Sequence, residues 1–171
     1  VVAVNALTIV GDGRYVLSGS DDNTLRLWEV TSGRCLRAYE GHTGSVDAVA
    51  VSGNGQFAVS ASRDRSFRVW DLAAGKCVRV LDGQRDIVRS VCLAPNGYQV
   101  LTRGPECTLL LWDLNTGSIA RTFSGHTDWV KSVCLSPAGR YALSGSADAT
   151  LRLWEVDASQ CLRTFEGHSG P

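Results

Sequence analysis

Ser18-Gly19-Ser20-Asp21-Asp22-Asn23-Thr24-Leu25-Arg26-Leu27-Trp28-Glu29 returns nearly letter for letter as Ser144-Gly145-Ser146-Ala147-Asp148-Ala149-Thr150-Leu151-Arg152-Leu153-Trp154-Glu155. Looser copies stand between them, at Ser60–Asp71 and Thr102–Asp113. Trp28, Trp70, Trp112 and Trp154 are evenly spaced at 42 residues. So are Gly41-His42, Gly83-Gln84, Gly125-His126 and Gly167-His168. Residues 1–42 and 127–168 align without a gap, with more than half of the positions identical. A constant period without insertions means that one supersecondary unit has been copied four times, over 1–42, 43–84, 85–126 and 127–168.

Within each copy the pattern is β throughout. Val46-Asp47-Ala48-Val49-Ala50-Val51 reads as a strand buried on both faces. The turn Gly53-Asn54-Gly55 follows, with counterparts at Gly11-Asp12-Gly13, Pro95-Asn96-Gly97 and Pro137-Ala138-Gly139. Such sequences supply the positive φ of a tight hairpin. A second strand such as Tyr15–Ser18, a third such as Thr24–Trp28 and a fourth such as Cys35–Tyr39 complete the unit. No stretch carries a useful 3.6-residue period.

The units resemble the WD-repeat β-propeller family. The resemblance spans the whole chain and rests on the Gly-His and Ser-Gly-Ser-x-Asp-x-Thr-Leu-Arg-Leu-Trp-Glu/Asp motifs. It implies an all-β fold of four four-stranded antiparallel blades, a single propeller segment over 1–171. The chain opens at Val1 and contains no Met. It is therefore expected to be part of a larger ring of about seven blades, within the general range of about 4–8. Uncovered blade faces at the ends of such an arc are expected to self-associate.

Composition narrows the function classes. The chain is 44% hydrophobic and 20% charged, with 18 Gly and 4 Pro, which suits a folded domain. Lys+Arg and Asp+Glu both number 17. That balance argues against a role dominated by binding nucleic acid or anionic membrane, although nucleic-acid or chromatin binding through a local basic patch stays as the alternative. No apolar run is long enough for a membrane helix.

The resemblance also implies a hydrogen-bonded network of His, Ser/Thr, Asp and Trp in each blade. The matching residues are Ser18, Asp22 and Trp28 in the first, His42, Ser60, Asp64 and Trp70 in the second, and His126, Ser144, Asp148 and Trp154 in the fourth. Ser20 and its equivalents compete with Ser18 for the hydroxyl role. Ser, His and Asp together invite a hydrolase reading. A catalytic set occurs once, whereas this one recurs with the blade, so no catalytic residue is assigned and the chain is read as non-enzymatic. In the third copy Gln84 replaces the His, Glu106 the Asp and Gly104 a Ser, and Pro105 enters the turn. A rewired or broken network is expected there, through drift or through specialisation for a partner.

Cys35, Cys77 and Cys161 share a register with Ile119, and Cys92 and Cys134 share one with Thr8 and Ala50. Interchange with such residues indicates packing, not metal ligation, and no Cys/His cluster has zinc spacing. The cysteines are read as reduced and mostly buried in an intracellular protein, with the off-register Cys107 exposed. No cofactor or metal is called for. Arg37, Arg79, Arg121 and Arg163 fall on the predicted outermost strand, where ion pairing with neighbouring acids and protection of an exposed edge are expected.

Binding is expected where the copies differ. In the family, contact positions lie three and five residues beyond the His and just before the turn Asp. Carried over, these are Ala3, Asn5 and Asp21; Ser45, Asp47 and Arg63; Ile87, Arg89 and Pro105; and Trp129, Lys131 and Ala147. Trp129 alone of the five Trp lies outside the blade-core register. With Arg89 and Lys131 it is expected to form a hot spot for an acidic or phosphorylated peptide. Peptide or protein partners on this face, as a scaffold or sensor, are the leading reading.

Overall fold

The computed structural model describes residues 2–81 and 90–168. The chain divides into two compact units, Val1–Arg89 and Ser90–Pro171. The first holds β1 (Val4–Val10), β2 (Tyr15–Ser20), β3 (Leu25–Glu29), β4 (Cys35–Tyr39), β5 (Val46–Val51), β6 (Phe57–Ser62), β7 (Phe67–Asp71) and β8 (Lys76–Leu81). The second holds β9 (Val91–Leu93), β10 (Gln99–Arg103), β11 (Leu109–Asp113), β12 (Ser118–Phe123), β13 (Val130–Leu135), β14 (Tyr141–Ser146), β15 (Leu151–Glu155) and β16 (Gln160–Phe165). Consecutive strands pair antiparallel into four four-stranded sheets, β1–β4, β5–β8, β9–β12 and β13–β16. The described residues contain no helix, and none long and apolar enough to cross a membrane.

The hairpins follow from local chemistry. In the turns after β1, β5, β9 and β13, the N–H of Gly13, Gly55, Gly97 and Gly139 donates to the carbonyl three residues back. After each Trp-Glu/Asp pair the chain turns through a left-handed residue. Glycine serves at Gly33, Gly75 and Gly117, with φ of 68, 71 and 73°, while the fourth copy places Ser159 there at φ 53°. The acid after the Trp caps this turn: the Asp71 carboxylate accepts the Ala74 N–H at 2.7 Å, and that of Asp113 accepts the Asn115 N–H at 2.7 Å.

Each unit buries a core between its own two sheets. In the first, Leu17, Leu25 and Tyr39 pack with Val46, Ala58 and Trp70. In the second, Leu101, Leu109, Leu111 and Phe123 pack with Val133, Ala142 and Trp154. The outer-strand aromatic of one sheet meets the Trp of the next edge-on. Tyr39–Trp70 and Phe123–Trp154 both have ring centroids 5.8 Å apart, the arrangement that the ring quadrupoles favour.

Two bulges recur. One lies between third and fourth strands immediately before the Trp, at Leu27/Trp28, Val69/Trp70, Leu111/Trp112 and Leu153/Trp154. The other interrupts the innermost pair at Val4/Ala6, Val46/Ala48 and Val130/Ser132. The extra residues in this second set are Asn5, Asp47 and Lys131. A bulged residue leaves the ladder and its side chain is re-aimed.

Candidate functional site

Two complete polar networks are present. His42 Nδ1 lies 2.7 Å from Asp64 Oδ2 and His42 Nε2 lies 2.7 Å from Ser60 Oγ. The Trp70 indole N–H donates to the same Ser60 Oγ at 2.8 Å. His126, Asp148, Ser144 and Trp154 repeat this with distances of 2.7, 2.8 and 2.8 Å. The serine oxygen accepts from the indole and has one proton to give. Donating it to Nε2 leaves the imidazole neutral with its proton on Nδ1, directed at the carboxylate. Burial pushes the His42 pKa down, against the opposing pull of Asp64. The aspartate is held by four donors. Asp64 accepts the Thr43 and Ser66 N–H groups, the Ser66 hydroxyl and His42. Burial alone would raise its pKa; together these donors outweigh that and hold it well below the usual carboxylate range, and the same holds for Asp148.

The glycine of Gly-His is a conformational requirement. Gly41 and Gly125 adopt φ of 148 and 151°, and an added Cβ would meet the guanidinium of Arg68 at 3.0 Å or of Arg152 at 2.8 Å.

In the first sheet Ser18, not Ser20, accepts the Trp28 N–H, at 2.8 Å. Ser20 instead accepts the Asp22 N–H and donates to the Ala3 carbonyl. Asp22 holds Thr24 through its N–H and hydroxyl and pairs with Arg26 at 3.3 Å. In the third sheet the Trp112 indole still donates to Thr102 Oγ1, at 3.2 Å. Its turn is built differently. Thr108 donates its hydroxyl to the Pro105 carbonyl, and Glu106 and Cys107 both take positive φ. Glu106 is exposed and joins no network among the described residues. Gln84 lies outside the described residues.

The variable positions converge at one end of the first, second and fourth sheets. The Asp21, Arg63 and Ala147 N–H groups bond to the carbonyls of Ala3, Ser45 and Trp129. The innermost bulge places Asn5, Asp47 and Lys131 beside them. In the first unit these side chains form a continuous chain across two sheets. Asn5 Nδ2 donates to Asp21 Oδ1 at 2.8 Å and to Ser45 Oγ at 3.0 Å. Ser45 donates to Asp21 at 2.5 Å, and its Oγ lies 3.2 Å from Asp47 Oδ1. Arg63 Nε straddles both Asp47 oxygens at 3.2 and 3.0 Å. The Ser45 and Asn5 donors pull the Asp21 pKa down.

In the second unit Trp129 is 53% exposed. Its cationic neighbour is Arg103, with Cζ 5.1 Å from the ring centroid, a cation–π distance. Lys131 instead lines a hollow of about 450 Å³ with Ser146, Thr150, Leu151 and His168. Ile87 and Arg89 lie outside the described residues.

The family model "WD domain, G-beta repeat" matches residues 2–29, 33–71, 75–113 and 117–155. The chain belongs to the WD-repeat family. These WD repeats are offset by one strand from the sheets: the match over 33–71 starts on β4, in the first sheet, and ends on β7, in the second. Of the similar curated proteins, F-box/WD repeat-containing protein 7 of Drosophila melanogaster is 56% identical over 34 residues, 20% of this chain and 3% of that protein. The probable E3 ubiquitin ligase complex SCF subunit sconB of Talaromyces stipitatus is 46% identical over 43 residues, 25% and 6% respectively. The ribosome biogenesis protein BOP1 homolog of Drosophila grimshawi is 43% identical over 37 residues, 22% and 5%. Each match covers about one WD repeat, and the matched stretch is a small fraction of the relative's length.

Two sequence expectations need correction. The cysteines are free thiols, but none is fully buried: Cys35 and Cys134 are exposed and the other four, Cys107 included, are half-buried. Cys35, Cys77 and Cys161 lie on outer strands, Cys92 and Cys134 on inner strands, and Cys107 in the turn between β10 and β11. The outer-strand arginines make no ion pair among the described residues; Arg37 instead donates to the Ala73 carbonyl, 3.1 Å away on the next sheet's hairpin. Arg103 was not singled out from sequence. The available signal was its register, where Gly19, Ala61 and Gly145 stand.

Proposed function

We propose that this WD-repeat chain is a non-catalytic protein-interaction module, docking a peptide or protein on the sheet ends that carry Asn5, Asp21, Asp47 and Arg63 in the first unit and, taken by itself, Trp129 and Lys131 in the second. The carrying observation is the recurrent inner-strand bulge. It takes a residue that differs in every copy out of the ladder and sets it beside an equally variable turn residue. The scaffold is copied; the presented side chains are not. His42 and His126 are engaged at both ring nitrogens, which leaves neither imidazole available as a general base. The sconB relative is by name a subunit of a multi-protein complex, which favours an assembly role. Asp21 and Asp47 on the same end of the first unit weigh against the nucleic-acid alternative.

Selection of a random-peptide display library on the chain tests this reading. Peptides retained by the wild type are expected to lose about 30-fold in affinity to Trp129→Ala, the size of an aromatic hot spot. Arg121→Ala, on the exposed outer strand β12, should leave them unchanged. Selected peptides indifferent to Trp129→Ala and Arg63→Ala alike would place docking elsewhere.

A further inference from the structure

We infer that Arg103 and Trp129 form an anion-binding subsite of the docking face, one that takes a carboxylate or phosphate group on a bound peptide. The inference rests on the face reading above and names the chemistry of its partner.

The pair is specific to the second unit. The register of Arg103 holds Gly19, Ala61 and Gly145 in the other copies, and the register of Trp129 holds Ala3, Ser45 and Ile87. The small residues answer to tight packing: a Cβ on Gly19 would lie 2.6 Å from Val46 Cγ1 on the next sheet. An arginine cannot end in that space. Arg103 Nε is buried without a hydrogen-bond partner among the described residues. Its guanidinium emerges over Trp129, at the exposed end of β13.

The guanidinium carbon lies over the indole. No carboxylate among the described residues pairs with it. The nearby acids are otherwise disposed: Asp128 Oδ1 accepts the Trp129 N–H at 2.6 Å, and Glu106 stands exposed on the turn after Arg103. A guanidinium stacked on an aromatic ring keeps its edge donors in one plane, and that fork matches two oxygens of a carboxylate or phosphate. In the first unit the corresponding end has its cation, Arg63, already neutralised by Asp47 at 3.0 Å. The second unit is thus where a planar cation that no described residue neutralises and an exposed aromatic coincide.

Three fluorescein-labelled decapeptides of otherwise identical sequence, with two central Asp, two central phosphoserines or two central Asn, test this by fluorescence anisotropy. The acidic peptides are expected to bind at least tenfold more tightly than the Asn peptide. Arg103→Gln is expected to abolish that preference, and Arg103→Lys to retain only part of it, because charge remains while the fork is lost. Binding of both acidic peptides assigns the site to carboxylates as well as phosphates; binding of the phosphopeptide alone assigns it to phosphate. Urea midpoints of each variant control for folding. Equal binding of all three peptides, no binding of any, or a preference that survives Arg103→Gln overturns the inference. Should binding remain sensitive to Trp129→Ala in that case, the docking face stands and only its anion chemistry falls.

Discussion

Asp64 and Glu106 occupy the same register and do different physical work. Asp64 is the acceptor for four donors under a buried imidazole; Glu106 is exposed and accepts from none of the described residues. One extra methylene, with Pro105 beside it, carries the carboxylate out of the turn. Asp64→Asn puts an amide N–H₂ where two of those donors point. It should cost about 2–3 kcal/mol, the scale for stranding buried donors of a charged acceptor. Glu106→Gln should cost less than about 0.5 kcal/mol, as surface changes do. Urea unfolding of the two variants decides it, and equal costs would contradict the rewired turn. The difference was visible in the sequence as Glu for Asp and Gly104 for Ser62. That Ser18 rather than Ser20 takes the indole proton was not. Both hydroxyls are two residues apart on one strand face, and only the sheet register at Trp28 separates them.

At the scale of elements, the repeated hairpin after Trp-Glu/Asp has one weak copy. Its left-handed position is glycine three times and Ser159 once, at φ 53°. A side chain there carries the steric cost that glycine avoids. Ser159→Gly should therefore raise stability by up to about 1 kcal/mol, and a lowered urea midpoint would refute this. The inner edges also differ between sheets. The outward N–H groups of Val133 and Leu135 on β13 are taken by Ser90 Oγ and Cys92 Sγ at 3.1 and 3.2 Å. Ala6, at the register of Ser90, has no such acceptor. Cys92 thus acts as an edge acceptor, which its interchange with Thr8 and Ala50 in the alignment of copies did not reveal. The strands and turns themselves were legible, because alternation and Gly-containing turns are local signals. The bulges were not. A bulge is a relation between two strands, and no single strand encodes which residue will be squeezed out.

For the whole molecule, the buried titratable groups set a pH range. Burial lowers the His42 pKa below its ordinary value of about 6.5, so below that pH the unfolded chain binds a proton that the folded one refuses, and stability falls. Asp64 and Asp148 are depressed in the folded state, so their contribution is present above about pH 4 and is lost progressively below it. Burial raises Cys92 and Tyr39, so above about pH 9 the unfolded chain sheds protons that the folded one retains, and stability falls again. The urea midpoint should be flat between about pH 6.5 and 9 and decline on both sides. A midpoint that rises on acidification from 7 to 5 would show that His42 gains rather than loses its proton on folding.

The sequence by itself determined the repeat, its length, the four sheets, the turn glycines and the periodic His, Asp and Trp, which the family resemblance then linked into a network. Each of these is periodic, and periodicity multiplies a weak local signal by the number of copies. Tertiary structure alone decided what the non-periodic residues do. It joined Asn5, Asp21, Ser45, Asp47 and Arg63 into one chain of hydrogen bonds across two sheets, and it gave Trp129 the cation Arg103 rather than Lys131. The partner of Trp129 lies 26 positions away in sequence, on another sheet. Such a pairing is set by how neighbouring sheets pack and by where a bulge turns the chain, and neither is encoded within one repeat.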